Sequence, residues 1–130
     1  MRTQLLTYLT STLKGAIKTS QELPFEEGGN PLYLKNLKRV YLSEPTEEQA
    51  ALIQTLDDSN ITQKITAVRG YLAVDAKNRN ADLDSALETL AGARNIQTIT
   101  NSFRKEFDYT QTIDADRVIY EFEYRFYTLA

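Results

Sequence analysis

The run Phe103-Arg104-Lys105-Glu106-Phe107-Asp108-Tyr109-Thr110-Gln111-Thr112-Ile113 leads through Asp114-Ala115-Asp116 into Val118-Ile119-Tyr120-Glu121-Phe122-Glu123-Tyr124-Arg125-Phe126. Both runs alternate with a period of two, the mark of a strand with distinct faces. In the first, Phe103, Lys105, Phe107, Tyr109, Gln111 and Ile113 share a face against Arg104, Glu106, Asp108, Thr110 and Thr112. In the second, Val118, Tyr120, Phe122, Tyr124 and Phe126 oppose Glu121, Glu123 and Arg125. The Asp-Ala-Asp link is turn chemistry. The expectation is an antiparallel hairpin whose second arm is aromatic on one side and charged on the other.

Residues 61–74 also alternate, but out of phase with themselves. Ile61 and Ile65 lie on one set of positions, and Val68, Leu72 and Val74 on the other. A strand that changes faces calls for a bulge, and Gly70 is the natural place for it. Two segments carry helical spacing instead. Leu5, Leu6, Leu9, Leu13, Ala16 and Ile17 form a stripe over about residues 2–19. Leu83, Ala86, Leu87, Leu90 and Ala93 form a second, with Asn80 or Asp82 as cap, Asp82 and Asp84 in the first turn, and Gly92 and Asn95 near the stop. Apolar stripes of this kind need a sheet to lie on. The expected class is α+β: a mixed or antiparallel sheet with a closing C-terminal hairpin and two main helices packed on it, in one domain over 1–130.

Three stretches connect these elements. Pro24-Phe25-Glu26-Glu27-Gly28-Gly29-Asn30-Pro31 reads as a loop. Its glycine pair is no phosphate cradle, because two glutamates precede it and no Gly-Lys-Ser/Thr follows. Leu32-Tyr33-Leu34 and Arg39-Val40-Tyr41-Leu42 read as extended segments. Residues 43–60 hold five acidic and no basic side chains. There Thr46-Glu47-Glu48-Gln49 matches a capping box, so a short helix over about 46–56 is one reading and a long loop the other.

The 130 residues contain no cysteine and no histidine. Disulfides, Cys/His zinc sites, cysteine nucleophiles and histidine triads are thereby excluded. The acid pairs Asp57/Asp58, Asp82/Asp84 and Asp114/Asp116 fall at helix starts and turns, and no calcium-loop spacing surrounds them. No motif sets a lysine, tyrosine or carboxylate beside a nucleophile, so the chain is not expected to be an enzyme or to need a cofactor. A formal net charge of −3 argues against binding nucleic acid over the whole surface. No apolar run approaches the about 20 residues of a membrane span. The first 21 residues have Arg2, Lys14, Lys18 and no acid before Glu22, the composition of a transit peptide. The need for a core helix there favours the structural reading, with an untargeted cytosolic product.

The order helix, strands, acidic excursion, long strand, helix and aromatic hairpin resembles the tail terminator (tail completion) family of lambda-like long-tailed bacteriophages. Three stretches carry the likeness: Arg39-Val40-Tyr41-Leu42 into the acidic excursion, Ile65 to Val74 into a polar loop and the Asp82-Leu83-Asp84 helix start, and Phe107-Asp108-Tyr109 through the turn into Tyr120-Glu121-Phe122-Glu123-Tyr124. The loops 22–31 and 43–60 depart from the family pattern. The resemblance implies a structural virion protein at the head–tail junction, assembled in the host cytoplasm. It implies a hexameric ring that caps the tail tube, stops its polymerisation and joins the head connector or stopper, with duplex DNA passing through the lumen.

On that reading the candidate subunit or partner interface comprises Tyr120, Phe122, Tyr124 and Phe126 together with Lys77 and Arg79. Candidates for an acidic lumen wall or partner-facing surface are Glu44, Glu47, Glu48, Asp57, Asp58, Glu121 and Glu123, since an acidic wall does not retain phosphates. Each has a plainer alternative: core aromatics, an ordinary loop and a solvated acidic face. Two other functions fit the same residues. One is a different ring component of the phage neck or tail tube; the other is a small ligand-binding α+β domain with an aromatic pocket.

Overall fold

The computed structural model describes residues 1–54, 60–76, 81–96 and 102–129, with backbone alone at 50–54, 60–61 and 81–82. In chain order they form α1 (Arg2–Thr12), β1 (Lys18–Thr19), α2 (Leu32–Lys35), β2 (Arg39–Leu42), β3 (Thr46–Gln54), β4 (Asn60–Asp75), α3 (Ala81–Gly92) with a 3-10 turn at Ala93–Asn95, β5 (Arg104–Asp114) and β6 (Arg117–Leu129). The class is mixed α+β. A six-stranded, mostly antiparallel sheet runs β1-β2-β4-β6-β5, and β3 pairs with β4 in the lane beside β2. Among the described residues only β1 and β2 pair in parallel.

The β4–β6 ladder is the spine, running without a register shift from Gln63–Leu129 to Asp75–Arg117. On one side of it Val68, Leu72, Val74, Val118, Tyr120, Phe122, Tyr124 and Phe126 are buried beneath α1 and α3. The helices contribute Leu5, Leu6, Leu9, Leu83, Ala86 and Leu90 to this core. Full burial of such a side chain contributes about 1.5–3 kcal/mol. The Tyr124 hydroxyl donates to the Leu90 carbonyl, one of the last of α3, and so joins helix to sheet. Arg2 secures the other helix: its Nε donates to the Leu42 carbonyl at 2.8 Å and its guanidinium reaches the Gln21 carbonyl at 2.9 Å.

No bulge occurs at Gly70. The change of phase along β4 arises because Ile65 lies on the face opposite Val68, Leu72 and Val74 and is buried there beside its cross-strand partner Tyr127. Leu72 and Val74 face the helices, while Ala73 faces a second cluster with Tyr33, Tyr41 and Ile119. Gly70 has a different reason: a Cβ there would overlap the ring of Phe122, its cross-strand partner, and approach Leu42 Cδ2 at 2.9 Å. The sheet's register shift lies in β3, between Ala51 and Ile53.

Three local readings are corrected. The first helix ends at Thr12, not near 19: Leu13 is extended and Gly15 has φ +80°. Leu13 and Ile17 are still buried, delivered by a chain that turns back toward β1, whereas Ala16 is exposed. Leu32-Tyr33-Leu34 is not extended but forms the single turn α2 behind Pro31, which places Tyr33 on the second face of the sheet. Residues 46–54 form neither helix nor loop. Their backbone is taken up by the ladder with β4, from Thr46–Ala67 to Gln54–Asn60, and this non-local pairing overrides the capping pattern. Ser43 makes the bend between β2 and β3: its N–H donates to the Arg69 carbonyl at 2.8 Å and its Oγ accepts from the Arg69 N–H at 3.3 Å.

At the tip of the β5–β6 pair, Asp114 and Arg117 face each other across Ala115-Asp116, and Ala115 has φ +55°. Glycine is the usual residue at such a position, so Ala115 holds strain of about 1 kcal/mol. No helix among the described residues is long and apolar enough to cross a membrane.

Gly70→Ala is expected to lower stability by about 1–3 kcal/mol, because Phe122 must leave its place over the strand. Denaturant unfolding measures this, and a midpoint equal to the parent's would show that the ring has room to move.

Candidate interaction surface

The helices cover one face of the sheet and the 22–37 segment covers one end of the other. What the described residues leave uncovered is built by register. Across β3, β4, β6 and β5, successive rows are Glu48–Ile65–Tyr127–Arg104, Thr46–Ala67–Arg125–Glu106, Arg69–Glu123–Asp108 and Tyr71–Glu121–Thr110. All of these residues share the parity of Glu121 and Glu123, opposite to the core positions. The open face therefore carries Glu48, Glu106, Asp108, Glu121 and Glu123 against Arg69, Arg104 and Arg125.

Most of these charges are paired. Arg125 lies 3.2 Å from Glu48 and 3.6 Å from Glu123, Arg69 lies 3.2 Å from Glu123, and Arg104 lies 2.8 Å from Glu106. Arg104 and Arg125 also approach the Tyr127 ring, at 5.3 and 5.8 Å from its centroid. Exposed pairs of this kind contribute at most about 1 kcal/mol each, so they set the pattern of the surface more than its stability. Asp108 and Glu121 have no ion-pair partner among the described residues, and both line a shallow groove with Arg69, Tyr71, Thr110 and Glu123.

At its far end the open face meets an aromatic cluster. Tyr33 and Tyr71 stack at 4.6 Å, and Phe25 sets its edge against them at 5.8 and 5.3 Å. Burial pushes the Tyr33 and Tyr71 phenols above their ordinary pKa, and the nearby Glu121 carboxylate raises them further. Burial also raises Tyr124 and Tyr127.

The expected site residues are thus distributed. Tyr120, Phe122, Tyr124 and Phe126 are 3%, 3%, 0% and 0% exposed, so these four side chains form the protomer's own core and offer nothing to a neighbour. The assignment to an interface is corrected on that ground: their alternation reports a buried face, and the outward positions of β6 are Glu121, Glu123, Arg125 and Tyr127. Glu121, Glu123 and Glu48 do come together on the open face. Glu47 points to the helix side, 3.0 Å from Lys64, and Glu44 is exposed in the bend after β2. Lys77, Arg79, Asp57 and Asp58 lie outside the described residues.

Sequence reasoning missed Arg69, Arg104, Glu106, Asp108, Arg125 and Tyr127 as parts of the same surface. Alternation placed Arg104, Glu106 and Asp108 on one side of their strand, but only the cross-strand register shows which acids they meet. Among the described residues no group of three or more metal-ligating side chains is assembled. The chain matches no known family model, and no curated protein matches it.

The raised phenols predict the alkaline behaviour. The folded state retains protons that unfolded tyrosines release near their ordinary value of 10.0, so this contribution is intact below pH 10 and is lost as pH rises beyond it. Glu121→Gln is expected to bring Tyr33 and Tyr71 nearer their ordinary value and make that alkaline loss shallower. Phenolate absorbance during a pH titration measures it; an unchanged titration would show that Glu121 is not coupled to the pair.

Proposed function

We propose that this chain is a structural virion protein that acts without turnover: a tail terminator that caps the tail tube of a long-tailed phage as a hexameric ring. In this reading the β5–β6 pair is the closing hairpin of the family's sheet, and α1 and α3 are its two helices. The ring stops tube polymerisation and presents its other side to the head connector or stopper. DNA traverses the lumen without sequence-specific contacts. The protein then resides at the head–tail junction of the virion, and in the host cytoplasm during assembly.

The observation that carries the reading is the open sheet face. A sheet packed on one side by helices and left largely open on the other by the described residues, with five carboxylates set against three guanidinium groups, suits a wall beside moving DNA. Paired charges hold few free cations for phosphates, so the wall avoids the counterion-release binding that would retard passage. The aromatic-pocket reading has less support, because the aromatic face of β6 is filled by α1 and α3.

Light scattering and negative-stain imaging of the purified protein are expected to give a ring with a central channel wide enough for duplex DNA. Added to the cognate tube protein during polymerisation, the ring should halt elongation. A stable monomer that leaves tube length unchanged at every concentration overturns the reading.

A further inference from the structure

Two long strand edges are left unpaired among the described residues. β5 bonds β6 on one side only, and β3 bonds β4 on one side only. Such edges template the addition of another strand. They stand at opposite ends of the run β3-β4-β6-β5, in which every neighbour is antiparallel, so β3 and β5 run in opposite directions. Laying a second copy beside the first in the same orientation therefore brings β5 against β3 as an antiparallel pair. β5 is also where exposed apolar side chains gather: Tyr109 is 49% exposed and Ile113 68%.

We propose that β5 of one protomer pairs with β3 of a second copy, head to tail, displaced along the strand so that the segment around Gln111 lies beside Glu47. The inference rests on the ring reading only in taking the partner to be another copy of this chain.

Clearance of β1 selects the displacement. Extended straight across, the rows place Lys105 opposite Glu47 of the next copy, through Thr66 and Phe126. The row through Gln111, Tyr120, Leu72 and Val40 then ends at Thr19 of β1, which already occupies the edge of β2. Straight extension thus drives the later half of β5 into β1. Sliding β5 by about six residues clears β1, and sheet closure requires a stagger of this kind. The slide sets Glu47 and Glu48 against the uncharged Tyr109–Ile113 segment in place of Lys105 and Arg104, which gives up at most about 1 kcal/mol for each exposed pair. Because the contact joins two different edges, it repeats until it closes and leaves neither long edge exposed. A two-fold β5–β5 pair would leave β3 open in both copies.

Disulfide trapping tests this cleanly, since the chain has no cysteine of its own. Glu47 and Gln111 are exposed, and within one protomer β4 and β6 separate them by about 14 Å or more, too far to bridge. Glu47→Cys combined with Gln111→Cys, or with Ile113→Cys, should give on oxidation a covalent ladder rising to the ring, whereas each single variant gives none. A covalent dimer from Gln111→Cys alone, a ladder from Glu47→Cys with Lys105→Cys in place of the staggered pairs, or monomers throughout would overturn the proposal. Should the variants misfold, hydrogen exchange on the unaltered protein serves instead: β5 amides are expected to be protected in the oligomer and to exchange freely on dilution to monomer, and equal exchange in both states overturns the pairing. Tube capping is assayed separately under reducing conditions, so loss of capping with the ladder intact bears on the function and not on this contact.

Discussion

The contact of Phe122 with Gly70 ties together the two longest strands of the sheet. The ring occupies the space that a side chain on β4 would otherwise fill, and Leu42 closes in from the next strand. An aromatic residue over a cross-strand glycine restores the packing that the glycine lacks. With Phe122 seated, β6 keeps one register over thirteen pairs, and Tyr120, Tyr124 and Phe126 fall in line on the same side. The helices then have one continuous apolar floor. Tyr124 fixes the end of α3 to that floor through the Leu90 carbonyl, a hydroxyl that burial keeps protonated.

A floor filled from one side leaves the other side to be specified by different means. Near Ala73 and Ile119 the chain covers it with α2 and the Phe25–Tyr33–Tyr71 cluster. Over the rest, carboxylates outnumber guanidinium groups, and Arg69, Arg104 and Arg125 each pair with a neighbouring carboxylate. This division lets one sheet serve both as core and as outward surface, with no enclosed pocket needed beneath the helices. It also explains why the aromatic arm of β6 cannot serve a neighbour: its large side chains are already spent on folding.

The α+β class and a largely antiparallel sheet were legible because alternation over 103–126 and three-to-four spacing over 83–93 are local signals. The placement of Glu121 and Glu123 opposite the aromatic face followed from the same alternation, but which of the two faces is buried did not. What was not legible depended on partners distant in sequence. The Thr46–Gln49 capping pattern is a genuine local helix signal, yet its residues face β4 across a ladder that no local reading contains. Gly70 looked like a bulge because its true neighbour, Phe122, lies 52 positions away. Tyr33 looked extended because nothing nearby shows that Pro31 begins a turn. The arginines of the open face were invisible as a group for the same reason, since Arg69, Arg104 and Arg125 come from three strands.

The sheet's edges connect this architecture to assembly. Two long strands whose outer edges no described residue pairs have to be protected, and charges along β5 do so only for its first half, from Arg104 to Asp108. The second half, Tyr109 to Ile113, has no charge and includes the most exposed apolar side chains of the strand. A monomeric protein gains nothing from that exposure, because strand edges of this kind invite indiscriminate pairing. A head-to-tail contact that closes on itself consumes both edges at once, and β1 at the rim of the sheet admits the neighbour's strand at β3 alone. On the proposed pairing, the short β1, which adds little to the core, is the stop that sets how far one protomer slides along the next.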